Sequence, residues 1–404
     1  MSTDKHHLPE RERIEEGSPL TGLGMPLLVV GVVALVVSLI GGCMGEKGAK
    51  QFAYSYLFAY GYFWTIACGA FFWIILHHAT DSDWSVILRR TFENMTMMFP
   101  VLVVLFIPLL PFLWGHYCWK WLDPSYYATD AIYYEKWPWF ESWFYGGRWI
   151  FFFAFFTIAS FWFRSRSLRQ DAHGNPVYTV LMQWWSPLAI IGFGVCLTFS
   201  GIDWLMTLNY HWYSTMWGVY IFAGAAQSSM ALAIVACWIL KSQGYLKVMT
   251  QEHAHIMGKL LFAFTVFWAY IAFSQFMLIW YANIPEETVF FEIRNTGSWE
   301  SWSMFLVYGQ FVFPFIFLLT QYMKRSFFRL SLISFWILFM HGIDLYWIVL
   351  PYLNLEGVVW SWMDLTCFVA IACLTLWAFV RATCSAGLFP ARDPRILNCL
   401  SLTN

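Results

Sequence analysis

The chain is short of charge. Of its 404 residues only 12% are Asp, Glu, Lys or Arg, against roughly a quarter in a soluble globular domain. Too few polar side chains exist to coat a water-soluble body of this size, which excludes an ordinary soluble fold. A net charge of −1 lacks the basic excess that a phosphate backbone demands, so no nucleic-acid partner is expected. Grouped cysteine is missing too. The nine cysteines (Cys43, Cys68, Cys118, Cys196, Cys237, Cys367, Cys373, Cys384 and Cys399) show neither CxxC spacing nor a CxxCH haem attachment. Most sit in apolar runs, where a thiol behaves as a small hydrophobe. The first 22 residues are polar and carry both signs of charge. They lack a short basic stretch followed at once by an apolar one, so no cleavable signal peptide is expected.

What is present is apolar and aromatic, 60% and 22% of the residues. A bilayer core needs about 20 apolar residues per helix, and backbone groups in lipid are satisfied only inside helices or closed barrels. The apolar runs are too long for barrel strands. They predict an all-α polytopic membrane protein of ten spans: Gly24–Cys43, Tyr54–Leu76, Met95–Trp114, Trp143–Phe163, Leu181–Ile202, Tyr213–Leu240, Met257–Tyr281, Trp302–Tyr322, Phe327–Leu350 and Val358–Val380.

Lysine and arginine set the orientation. Seventeen fall on one side: Lys5, Arg11, Arg13, Arg89, Arg90, Arg164, Arg166, Arg169, Lys241, Lys247, Lys259, Lys324, Arg325, Arg329, Arg381, Arg392 and Arg395. Five fall on the other, Lys47, Lys50, Lys120, Lys136 and Arg294, with Arg148 inside the fourth span. The alternation predicts both termini on the cytoplasmic side. The longest outer loop is crowded with Trp119, Trp121, Asp123, Tyr126, Tyr127, Asp130, Tyr133, Tyr134, Glu135, Trp137 and Trp139. Two readings stand: an aromatic belt at headgroup level, or a docking surface for an extramembrane subunit.

Two tripeptides recur in order and on the same side. Glu141-Ser142-Trp143 opens the fourth span and Glu300-Ser301-Trp302 the eighth; Gly201-Ile202-Asp203 closes the fifth, and Gly342-Ile343-Asp344 lies in the outer half of the ninth. The pairing suggests a duplication. An even-numbered unit repeats with the same orientation, giving two like-oriented four-helix bundles with spans one and ten peripheral. The division predicted is a tail over 1–22, a peripheral helix over 23–50, bundles over 51–205 and 206–351, a peripheral helix over 352–383, and a tail over 384–404.

Ionisable residues within spans are costly and often mark a pathway. Ser334, His341 and Asp344 share one face of span nine, with His341 and Asp344 adjacent at i, i+3. Such a pair can pass a proton near neutral pH; equally, it can tie the helix to a neighbour. Arg148, on the face of Glu141, needs a carboxylate, and Asp203 on the next antiparallel helix is the candidate. Glu300 is the counterpart of Glu141, and Asp364 a further outer-half acid. On span seven, His255, Lys259, Tyr270, Ser274 and Tyr281 fall on one helical face, with Gln275 beside it. Facing the span-nine pair, that stripe would open a route from the cytoplasmic side. His77 and His78, which end span two, read singly as interfacial. A b-type haem needs two deep histidines facing each other, and only His341 is deep. Electron chemistry is therefore left to partner subunits or a bound quinone.

The run HIMGKLLFAFTVFWAYIAFSQFMLIWYANIPEET, from His255 to Thr288, and SGIDWLMTLNYHWYSTMWGVYIFAGA, from Ser200 to Ala225, resemble the F subunits of bacterial alternative complex III. These are quinol:cytochrome c oxidoreductases whose membrane subunits are of the polysulfide-reductase/NrfD-like type. The resemblance covers all ten spans and implies two four-helix bundles with flanking helices. It also implies no redox centre on this chain. Iron–sulfur and c-haem centres would lie on periplasmic partner subunits, quinol (usually menaquinol) would be oxidised mainly at a paralogous membrane subunit, and a terminal oxidase can be attached. It further implies a proton-path role for Asp203, Lys259, His341, Asp344 and Asp364. Two readings from other classes remain, a structural anchor for redox subunits and a secondary transporter. The parallel repeat and outer-half acids argue against the transporter.

Overall fold

The computed structural model describes residues 12–402 except 115, 116, 124 and 126–129. Lys5, Arg11, Tyr126 and Tyr127 of the preceding reading lie outside the described residues. Ten helices among the described residues are long and apolar enough to cross a membrane, and the chain is an all-α polytopic membrane protein. They are α1 (Gly24–Gly42), α2 (Glu46–Ala79), α3 (Val86–Phe112), α4 (Ser142–His173), α5 (Val177–Trp204), α6 (Trp217–Ser242), α7 (Gln251–Ala282), α8 (Trp299–Leu319), α9 (Phe327–Val349) and α10 (Trp362–Cys384).

Several helices outrun their apolar stretches. α2 begins at Glu46, eight residues before the apolar run at Tyr54, and α4 continues ten residues past Phe163 to His173, where Gly174 turns left-handed at φ 69°. Beyond the lipid, helix continues as long as its polar residues find partners. Two helices are irregular at proline. In α3, 3₁₀ turns at Thr96–Met98 and Ile107–Leu109 flank Pro100, Pro108 and Pro111, because a residue without N–H cannot continue the i→i−4 ladder. In α8, Val307–Val312 is π-helical just before Pro314. In that register Pro314 would donate to the Gly309 carbonyl and has no hydrogen to give. Trp336 Nε1 of α9 donates to it instead at 2.7 Å.

α2 and α6 form the enclosed centre. They touch backbone to backbone, since a Cβ on Gly69 would lie 2.0 Å from the Ala225 carbonyl oxygen. α4 and α5 complete one side of this centre with α3, and α7, α8 and α9 the other. α10 packs on α2, and α1 lies outside α10. With ten alternating spans, the Glu-Ser-Trp starts of α4 and α8 and the Gly-Ile-Asp stretches of α5 and α9 lie toward the same end of the bundle.

The opposite end carries most of the basic residues and both described chain ends. There the segment after α10 is more than a tail. Its Asp393 pairs with Arg89 at 2.6 Å, Arg395 with Asp81 at 2.7 Å, and Cys399 Sγ donates to the Trp84 carbonyl at 3.1 Å. It straps the α2–α3 turn. At the repeat end, part of the long loop folds back onto the helices. Trp119 and Trp121 are buried, Tyr133 Oη donates to the Trp121 carbonyl at 2.6 Å, and Trp121 stacks on Phe140 at 4.5 Å. Among the described loop residues, Ile132 and Tyr134 are exposed.

Candidate functional site

α9 carries His341 and Asp344 inward against α2, α6 and α7, both 1% exposed. Asp344 accepts a short hydrogen bond from Tyr220 Oη of α6 and one from Trp268 Nε1 of α7 at 3.2 Å. No Lys, Arg or His nitrogen among the described residues lies within 4.0 Å of it. His341 Nε2 meets Thr65 Oγ1 of α2 at 2.9 Å, with the Tyr62 ring 5.2 Å away centre to centre. The Thr65 hydroxyl also reaches the Gly61 and Tyr62 carbonyls, both at 2.9 Å. Whichever way the hydroxyl hydrogen lies, the buried His341 Nδ1 has no partner.

Gly224 of α6 packs against both groups, since a Cβ there would lie 3.3 Å from His341 Nδ1 and 4.0 Å from Asp344 Oδ2. The missing side chain thus lets the imidazole and the carboxylate approach the same stretch of α6. Below it, three polar side chains that the sequence reading did not single out form a chain. Gln310 Nε2 of the π segment donates to Gln227 Oε1 at 2.8 Å, and Gln227 Nε2 donates to Thr265 Oγ1 at 2.9 Å. All three are fully buried. Glutamine inside an apolar run is the signal that could have found them, since an amide in lipid needs a partner. π segments also recur at functional positions.

The other Gly-Ile-Asp carboxylate is built differently. Asp203 is fully buried and receives Arg148 through two bonds, Nε to Oδ2 at 2.7 Å and Nη2 to Oδ1 at 3.0 Å. Trp139 Nε1 adds a third at 3.1 Å, and the guanidinium lies over the Trp139 ring at 4.1 Å. The expected Arg148–Asp203 pair is present, and both carboxylate oxygens are occupied by it. Glu141 stands at the N-terminal boundary of α4 with no capping hydrogen bond and Glu300 in the first turn of α8, and neither is in an ion pair among the described residues. The second bundle has an arginine at the same end, Arg294, but caged by aromatics. It lies 3.5 Å over the Phe290 ring and donates to the carbonyls of Trp347, Ile348 and Phe290.

Asp364 is fixed by the start of α10. It closes a capping box on the Ser361 N–H at 3.0 Å and accepts from Ser55 at 2.5 Å, Gln51 at 3.0 Å and Tyr346 at 3.3 Å.

The stripe on α7 is corrected. Tyr270 and Tyr281 are 64% and 84% exposed, Lys259 is exposed and Ser274 half-buried, its hydroxyl returned to the Tyr270 carbonyl at 2.6 Å. The stripe points away from His341 and Asp344. Of its members only His255 is buried, near the basic end. The inward face carries Thr265, Trp268 and Gln275 instead. In lipid both faces of a helix are apolar overall, so a row of scattered hydroxyls does not define the inner side; packing against α6 and α8 does. The reading of His77 and His78 as interfacial is also corrected. Both rings are buried, packed by Trp73, Trp84 and Phe163, and their four nitrogens have no partner.

Outside the spans, Asp130 caps the short helix Ala131–Phe140 and accepts from Tyr210 at 2.7 Å and His211 Nε2 at 2.6 Å. The Tyr210 hydrogen bond, with His211 and a backbone N–H, holds its carboxyl down to about 2. No known family model matches the chain, and no curated protein matches it.

Proposed function

We propose that this chain is a membrane subunit of a respiratory quinol:electron-acceptor oxidoreductase complex, and that His341 and Asp344 pass protons within it. The observation that carries the proton role is the contrast between the two equivalent aspartates. Asp203 is locked to Arg148 and cannot change charge without breaking that pair. Asp344 is held by two neutral donors, Tyr220 and Trp268, and can gain or lose a proton with no ion pair to break. Histidine is the side chain best suited to relay such a proton near neutral pH. The unpartnered His341 Nδ1 and the Asp344 carboxylate both pack against Gly224 of α6. The Gln310–Gln227–Thr265 chain continues the polar column toward the basic end, the cytoplasmic side by the lysine and arginine distribution. The assignment to the respiratory complex rests on the two sequence runs, His255–Thr288 and Ser200–Ala225. In that setting iron–sulfur and c-haem centres belong to periplasmic partner subunits, and quinol is oxidised at a paralogous membrane subunit.

The test replaces the pair, Asp344→Asn and His341→Ala, in the assembled complex in liposomes. Proton translocation in excess of the two protons that each quinol gives up on oxidation is expected to be lost, with subunit composition unchanged. Unchanged proton stoichiometry in a fully assembled variant refutes the proton role and makes the chain an anchor for its partners.

A further inference from the structure

Between α4 and α5 a cleft of about 480 Å³ opens sideways toward lipid. Its walls are wholly apolar, with Phe151, Phe155, Ile158 and Trp162 on α4 facing Trp185 and Leu188 on α5. The α4 members from Phe151 to Phe163 cover about 18 Å of helix axis at 1.5 Å per residue. One leaflet of a bilayer core is about 15 Å thick, so the cleft has the length of one acyl chain. Apart from the indoles of Trp162 and Trp185 its lining side chains carry no polar atom, so it offers little to a ring headgroup.

The cleft has a basic rim at one end only. Phe151, Phe155, Ile158 and Trp162 follow a helical stripe whose next two members toward the basic end are Arg166 and Arg169. Arg166 lies 5.4 Å over the ring of Trp162, itself a wall of the cleft. Its buried Nε has no partner, and neither Arg166 nor Arg169 is in an ion pair among the described residues. Their neighbour Arg164, by contrast, is occupied by Asn94, the Ala382 carbonyl and Ser385. Trp184 and Trp185 stand at the same level, as aromatic residues do at a headgroup boundary.

We infer that the α4–α5 cleft binds one acyl chain of an anionic phospholipid, with the phosphate on Arg166 and Arg169. Exchange of one lipid tail for another releases no hydrophobic free energy, so the tail supplies shape and the two arginines supply selectivity. Basic pockets between membrane helices recognise anionic headgroups in this way. The site is independent of the His341–Asp344 reading and survives its failure.

The test is native mass spectrometry of the purified full chain, titrated with phosphatidylglycerol or phosphatidylcholine of matched chains. Phosphatidylglycerol should be retained over phosphatidylcholine. Arg166→Gln and Arg169→Gln should each lower that preference about fivefold, and Ala189→Phe, which fills the cleft, should lower retention of both lipids. Equal retention of the two lipids by the unaltered chain overturns the proposal, as does a preference that survives both arginine changes. An Ile158→Cys variant that crosslinks to another protein's helix in native membranes would also overturn it, by giving the cleft a protein occupant.

Discussion

Replacing each Gly-Ile-Asp carboxylate by its amide separates the two bundles energetically. In Asp203→Asn, the buried Arg148 loses its only carboxylate, and with it two charge-assisted bonds at 2.7 and 3.0 Å. Leaving one partner of a buried ion pair uncompensated costs about 3–5 kcal/mol. The stacking of the guanidinium on Trp139 and its bond to the Trp139 carbonyl at 2.9 Å survive, which places the cost at the lower end of that range. In Asp344→Asn no cation is stranded. The amide oxygen still accepts from Tyr220, and only Trp268 Nε1 is left facing a donor, an unsatisfied group worth about 1–3 kcal/mol. Thermal unfolding of the purified variants in one detergent should therefore rank Asp203→Asn below Asp344→Asn by several degrees. The double change Arg148→Gln with Asp203→Asn removes the stranded charge and should recover most of the loss. If Asp203→Asn is no less stable than Asp344→Asn, or if the double variant is as unstable as the single one, the distinction between a locked and an unlocked aspartate is wrong.

Three further outcomes follow from the same contacts. Gly224→Ala places a methyl 3.2 Å from His341 Cε1 and 3.3 Å from Nδ1; overpacking of this kind costs about 1–3 kcal/mol, and proton release should slow while the complex stays assembled, as read in the liposome assay. Asp393→Asn leaves the buried Arg89 without its carboxylate, at about 3–5 kcal/mol, and should make the segment after α10 a substrate for limited proteolysis. Burial alone would raise the Asp393 carboxyl, but Arg89 and Arg395 outweigh it and hold the group well below the ordinary range. Its contribution is thus complete above the unfolded value near 3.9 and is lost as pH falls through the lower folded value. Asp130 has the same sign, with its contribution lost between about 3.9 and about 2. Tyr210→Phe should raise the pH at which pepsin first cuts the outer loop, and an unmoved midpoint would remove Tyr210 as the cause.

The sequence by itself determined the ten spans, the side on which the basic residues gather, and the placing of the two tripeptides at one end. Each depends on order along a single chain: an apolar run must cross lipid as a helix, and successive loops must alternate. It determined the Arg148–Asp203 pair for a related reason, because a cation inside a span has few acids within reach. Only the tertiary structure decided which way each helix faces. The hydroxyls and Lys259 of α7 look like a path along one face, yet that face turns outward and Thr265, Trp268 and Gln275 turn in. A soluble helix betrays its inner face by polarity, but a helix in lipid is apolar on both. The facing is set by close packing at positions such as Gly69 against Ala225, which no periodicity records. The same packing makes two equivalent aspartates differ. One meets an arginine and the other a tyrosine and a tryptophan, because α4 brings Arg148 to the first site while α6 and α7 bring neutral donors to the second.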